Sequence, residues 1–261
     1  TNFTATDFFD ITSQNVTDMR YMFYTSQFNQ NISDWDVSNV TDTSIMFAYT
    51  PFNQSLNGWD VSNVTTMLYM FRDAVDFNQD LSGWDVSRVI TMSNMFRNAD
   101  SFNENISTWN VSNVTDMRFM FFSADSFNQS IGNWDVSNVT QMDGMFSYAI
   151  SFNQDLDSWD VSSVVDMQQM FKDADAFNNN ISTWNVSSVT DMSNMLWGTE
   201  FNQSINNWDV SNVTDMSSMF SYSNFNQNIS SWNVSSVTDM SRMFEGTPFD
   251  QNLSDWNVSS V

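Results

Sequence analysis

The sequence predicts a repeat solenoid of about ten stacked coils, each about 25 residues long, and three observations carry that prediction. Tryptophan recurs at Trp35, Trp59, Trp84, Trp109, Trp134, Trp159, Trp184, Trp208, Trp232 and Trp256, at intervals of 24 or 25 residues. Methionine keeps the same register, as nine MxxM pairs from Met19/Met22 to Met240/Met243 plus Met46, which accounts for all 19. The phrase WDVSNVT opens the units at Trp35, Trp59, Trp134 and Trp208, and close variants open the others. One such unit cannot bury its apolar face alone, because ordering its backbone costs more entropy than its own side chains recover. Each coil therefore has to offer its neighbour a matching surface, and the phrase repeats because stacking requires it. The whole of 1–261 reads as a single solenoid, with 1–14 as an atypical lead and an incomplete last coil.

One complete coil, from Trp134 to Ser158, reads WDVSNVTQMDGMFSYAISFNQDLDS. Trp134 and Val136 flank Asp135 at a spacing of two, which predicts a short strand. From Val139 the apolar residues fall at i, i+3, i+6 and i+7 (Met142, Met145, Phe146), which predicts a short helical or 3-10 segment. Phe152 and Asn153 then open the return loop. That asparagine recurs as Asn29, Asn53, Asn78, Asn103, Asn128, Asn178, Asn202 and Asn226, with Asp250 last, a row suited to bonding backbone groups along the stack. Coil length varies in blocks. Short loops such as AYTPF and EGTPF flank a run of longer ones such as RNADSF, and Pro51 and Pro248 rigidify two of the short loops.

Composition narrows the function classes. Seven Lys and Arg face 31 Asp and Glu, a formal charge of −24 that repels phosphate backbones and anionic lipid, so nucleic acid is not an expected partner. With no histidine and no cysteine, the common zinc ligands, thiol nucleophiles and the base of a serine triad are missing. No acidic pair breaks the repeat pattern in the way a glycosidase would need, and no enzymatic activity is expected. No apolar run is long enough for a transmembrane helix, and the chain, opening at Thr1, reads as a mature or excised segment.

Counting from tryptophan, positions 9, 10 and 13 vary most between coils and collect six of the seven basic residues: Arg20, Arg72, Arg97, Arg118, Lys172 and Arg242. Interleaved with them are Tyr21, Tyr24, Tyr69, Phe119, Phe122 and Trp197, the one tryptophan outside the register. On so acidic a chain this is a distinct stripe, suited either to stacking and cation–π contacts with a ligand or to ordinary solvent-facing variation. Sequons at Asn15, Asn31, Asn39, Asn63, Asn113, Asn138, Asn212 and Asn228 offer glycosylation sites, although most of them follow from the repeat phrase itself. The recurring Asp18, Asp116, Asp166, Asp191, Asp215 and Asp239 must be hydrated or bridged by calcium; no established calcium loop is present and no other cofactor is expected.

The composite phrase FNQ-x-I-x-x-WDVSNVTDM-x-x-MF resembles a bacterial surface-protein repeat of the mycoplasma and listeria lipoprotein type, related to BspA-like leucine-rich repeats. The likeness runs from about Asn15 to Val261; the departures are Phe9-Asp10-Ile11-Thr12, a version without tryptophan, and a stop partway through a coil. It implies a leucine-rich-repeat-like solenoid on a cell surface, associated with adhesion, and supplies no catalytic residues. The resulting expectation is a non-catalytic extracellular structural protein forming a surface stalk or a head-to-tail filament of its own copies. In that filament the lead TNFTATDFF would lie across the joint as an added strand. The alternative is a monomeric adhesin that binds host glycans or surface proteins through the stripe.

Overall fold

The computed structural model describes residues 16–261; the lead 1–14 and Asn15 lie outside them. Consecutive coils stack in parallel, joined by nine single-residue bridges that run Asp18–Asp42–Thr66–Thr91–Asp116–Gln141–Asp166–Asp191–Asp215–Asp239. From Asp42 onward each bridge residue stands seven places after its coil's tryptophan, where the chain enters a strip of overlapping turns.

That strip corrects the element types expected from spacing: among the described residues there is neither a strand nor a helix. In the coil of Trp134, the amides of Met142, Gly144, Phe146 and Tyr148 donate to Asp166, Gln168, Met170 and Lys172 of the next coil. The alternate amides of Met145, Ser147 and Ala149 turn back to Met142, Gly144 and Phe146 at 3.0–3.1 Å. A helix would direct every amide inward along its own axis. Here Gly144 (φ 58°) and Tyr148 (φ 60°) are left-handed, which breaks the helix and aims alternate amides along the stack. Turns of three and four residues reproduce the spacing that suggested a helix.

The expected strand fails for a different reason. Trp134 and Val136 are indeed buried, but Asp135 Oδ1 accepts the amide and hydroxyl of Ser137 at 3.2 and 2.6 Å, and the Val139 amide donates to the Val136 carbonyl at 2.9 Å. This side-chain capture closes a turn in place of a ladder.

The same two positions are left-handed in every described coil, and most are not glycine. Ile45, with φ 63°, is the least suited, because a β-branched side chain crowds its own backbone there. Ile45→Gly is expected to raise stability by about 1 kcal/mol in urea denaturation; a loss of that size would show that Ile45 packing outweighs the strain.

One apolar core runs without interruption from Met19 to Met243. Phe146 stacks on Phe152 of its own coil at 4.0 Å, and on Phe121 and Phe171 of its neighbours at 5.7 and 5.5 Å, with ring planes within 10°. Indoles form a second column, Trp109 to Trp134 at 6.3 Å, and each buried indole N–H finds an acceptor: Trp134 Nε1 donates to the Ile106 carbonyl at 3.2 Å. The asparagine row behaves as expected from sequence. Asn103 Oδ1 accepts the Asn128 amide at 2.9 Å and Gln129 Nε2 at 3.0 Å, and the pattern persists to Asp250, whose amide donates to Asn226.

Short coils keep the register through a hydroxyl. In long coils the amide of a buried alanine such as Ala149 donates to the core phenylalanine's carbonyl. In short ones Thr50, Thr199, Ser223 and Thr247 donate their side-chain hydroxyl to Phe47, Leu196, Phe220 and Phe244 at 2.6–2.9 Å. The same oxygen accepts the amide two residues on, in Phe52, Phe201, Phe225 and Phe249, so one residue fewer closes the loop.

Candidate functional site

The turn strip positions the variable side chains. Because its amides and carbonyls are bonded within or between coils, the side chains at positions 10, 13 and 14 form its outer wall. Three cations on this wall lie between aromatic rings. The Arg72 guanidinium is 5.3 Å from the centroids of both Tyr49 and Tyr69. Arg97 is 5.4 Å from Phe119 and 4.2 Å from Phe122, and Lys172 Nζ is 5.4 Å from Tyr148 and 5.2 Å from Trp197. Such contacts hold a cation in place without neutralising it.

The structure therefore brings together Tyr69, Arg72, Arg97, Phe119 and Phe122 on successive coils, and places Trp197 apart from them, against Lys172 and Tyr222. Tyr21 and Tyr24 sit at one edge, 55% and 43% exposed, with Tyr24 meeting Tyr49 edge-on at 5.8 Å. Arg20 and Arg118 are drawn aside: Arg20 pairs with Asp18 at 2.6 Å and reaches Asp42 at 3.5 Å, and Arg118 pairs with Asp116 at 2.8 Å. Sequence reasoning missed position 14, which contributes Tyr49, Tyr148 and Tyr222; their common offset from tryptophan was the available signal. Gly144 belongs to the site for steric reasons, since a Cβ there would come within 2.2 Å of the Phe119 ring.

Electrostatics differ across the molecule. Asp36, Asp85, Asp160 and Asp209 are held below the usual carboxylate range by hydrogen bonds from the serine two residues on. Burial acts in the opposite sense on Asp100, Asp125 and Asp173, and most strongly on Asp143. It is only 7% exposed, and burial, reinforced by Asp166, pushes its pKa up to about 6, the Arg118 charge opposing only in part. Arg97 is pushed below its ordinary value by burial and then by the like charge of Arg72.

The repeated bridge aspartates each use Oδ1 to accept the amide two residues on, as Asp191 does from Ser193 at 2.8 Å and Asp215 from Ser217 at 2.8 Å. Among the described residues no group of three or more acidic side chains is placed to hold a metal ion. At four sequons the nitrogen that would carry a glycan serves the stack instead. Nδ2 of Asn63, Asn113, Asn138 and Asn212 donates to a carbonyl of the preceding coil at 2.6–2.8 Å. Asn31 and Asn228 are exposed and use Oδ1 to accept from Ser33 and Ser230, while Asn39 is exposed at the edge of the described region. Among the described residues no helix is long and apolar enough to cross a membrane.

A family model matches the chain three times in succession, over residues 1–109, 91–200 and 179–261. The chain belongs to that family, described as Mycoplasma protein of unknown function, DUF285. No curated protein matches the chain. The three overlapping DUF285 matches each span several coils, so the family unit is a block of stacked turns. The aromatic and cationic wall occupies the positions that vary from coil to coil within the chain.

Proposed function

We propose that this DUF285 chain is a non-catalytic structural repeat, a polar rod that extends from a bacterial cell surface as a stalk or joins others of its kind head to tail. One observation carries the reading. At each of the nine described junctions four backbone amides of the turn strip donate to the following coil, from Met19, Tyr21, Phe23 and Thr25 through Met216, Ser218, Phe220 and Tyr222, while the amide just before each bridge residue, as in Thr41 to Thr17 and Thr140 to Thr115, donates to the preceding one. The two faces of a coil thus carry unlike patterns, four strip amides on one and the four carbonyls that accept such amides on the other, with one oppositely directed bond beside them. A further coil, from the same chain or from a second copy, fits in one polarity only, which is the geometry of heterologous, non-closing growth. The asparagine row and the arc of turns support the leucine-rich-repeat-like reading, and the lipoprotein resemblance supports the surface location.

Small-angle scattering and electron microscopy of the purified chain test this. The expected particle is a stiff rod advancing about 4.8 Å per coil, whose self-association lengthens it without thickening it. Compact globular scattering, or association that stops at a symmetric end-to-end dimer, would overturn the proposal.

A further inference from the structure

The structure assigns a ligand class to the wall, independently of whether the rod assembles. We propose that the segment from Tyr49 to Phe122 binds an acidic, uronate-bearing polysaccharide laid along the stack, with Arg72 and Arg97 taking carboxylates and the flanking Tyr49, Tyr69 and Phe122 rings taking sugar faces. In a chain of net charge −24, Arg72 and Arg97 place two guanidiniums at equivalent positions of adjacent coils, with Asp73 the carboxylate beside them. Arg97 has no carboxylate partner among the described residues: Nη1 reaches Asn94 Oδ1 at 3.3 Å, and its buried Nε has no acceptor. Arg72 pairs with Asp73 through Nε at 3.0 Å. The rings hold both heads in position, so little ordering cost remains for binding an anion.

The backbone narrows the partner. Amides and carbonyls of this strip are already bonded coil to coil, so a peptide cannot add as a strand and recognition falls to side chains. Rings alternating with cations suit a pyranose chain carrying carboxylates, and the coil step of about 4.8 Å is of the order of one sugar unit.

The test is calorimetric titration of the full chain at low salt with oligogalacturonate, a neutral oligoglucan of equal length, and polyglutamate. Oligogalacturonate alone is expected to bind. Arg72→Gln with Arg97→Gln is expected to weaken it at least tenfold with an unchanged melting temperature, whereas Arg88→Gln, which lies off the wall, leaves affinity unchanged. Should the double variant fold poorly, nitrogen-15 spectra of the arginine Nε groups in the unaltered protein decide the matter: ligand-induced shifts are expected at Arg72 and Arg97 and not at Arg20, Arg88 or Arg242. Absence of oligogalacturonate binding, equal binding of polyglutamate, equal affinity of a folded double variant, or shifts spread over all six arginines would overturn the assignment.

Discussion

Replacing Phe121 with alanine is expected to destabilise the fold by about 4 kcal/mol, within the range for buried phenylalanines. Its ring stacks on Phe127 at 3.9 Å, on Phe96 and Phe146 at 5.7 Å each, and meets Trp134 at 6.5 Å. The cavity cannot close readily, because the coils on either side are held in register by the Phe121-to-Met145 and Phe96-to-Met120 backbone bonds at 2.9 Å. The chain supplies its own control. Leu196 occupies the same column between Met170-flanked Phe171 and Phe220, fully buried, so Phe121→Leu is expected to cost under about 1.5 kcal/mol. In a stacked repeat the alanine variant should also split the unfolding transition around its own coil, because coupling passes only between neighbours. Guanidinium denaturation followed by amide exchange across residues 114–146 measures both effects; a loss below 1 kcal/mol would mean that the stack relaxes around the gap.

Asp143→Asn is expected to stabilise the protein at pH 7.5 by about 2 to 3 kcal/mol and to leave it unchanged below pH 4. The folded pKa of Asp143, about 6, lies above the ordinary aspartate value, so the folded state binds this proton more tightly than the unfolded one. The contribution of the protonated group is fully present below the unfolded pKa and is lost as pH rises through about 6. Asparagine keeps the neutral form at every pH, so the two melting curves should diverge between pH 4 and 7. Asp36, Asp85, Asp160 and Asp209 act in the opposite sense: their folded pKa values are depressed, and their stabilisation is lost as pH falls through those lowered values. They are common to both proteins and cancel in the comparison. A difference that does not vary with pH would show that Asp143 is ionised and solvated in the fold.

The stacking of coils was legible from tryptophan and methionine register alone, because burying the same side chain in the same place in every coil forces the same residue type to recur. The asparagine row was legible for the same reason, since a side-chain oxygen at the same place in each coil is needed to accept the next coil's amide. The wall was legible only as a column of variation. Arg72, Arg97 and Lys172 share their offset with Trp197 and Phe122, but whether a ring sits over a cation depends on which coil it comes from and on its left-handed backbone.

The amino-acid order by itself therefore determined the period, the parallel stacking and the identity of the buried columns, which are set by composition repeating at fixed distance. Only the tertiary structure decided that the strip is built of left-handed turns in place of a helix and a strand, and that four of its amides in each coil point to the following one. It also decided that Asp116 removes Arg118 from the site while Arg97 keeps no carboxylate. Spacings of two, three and four residues are compatible with several backbone conformations, and the choice among them is made by hydrogen bonds to a neighbouring coil some 25 residues away.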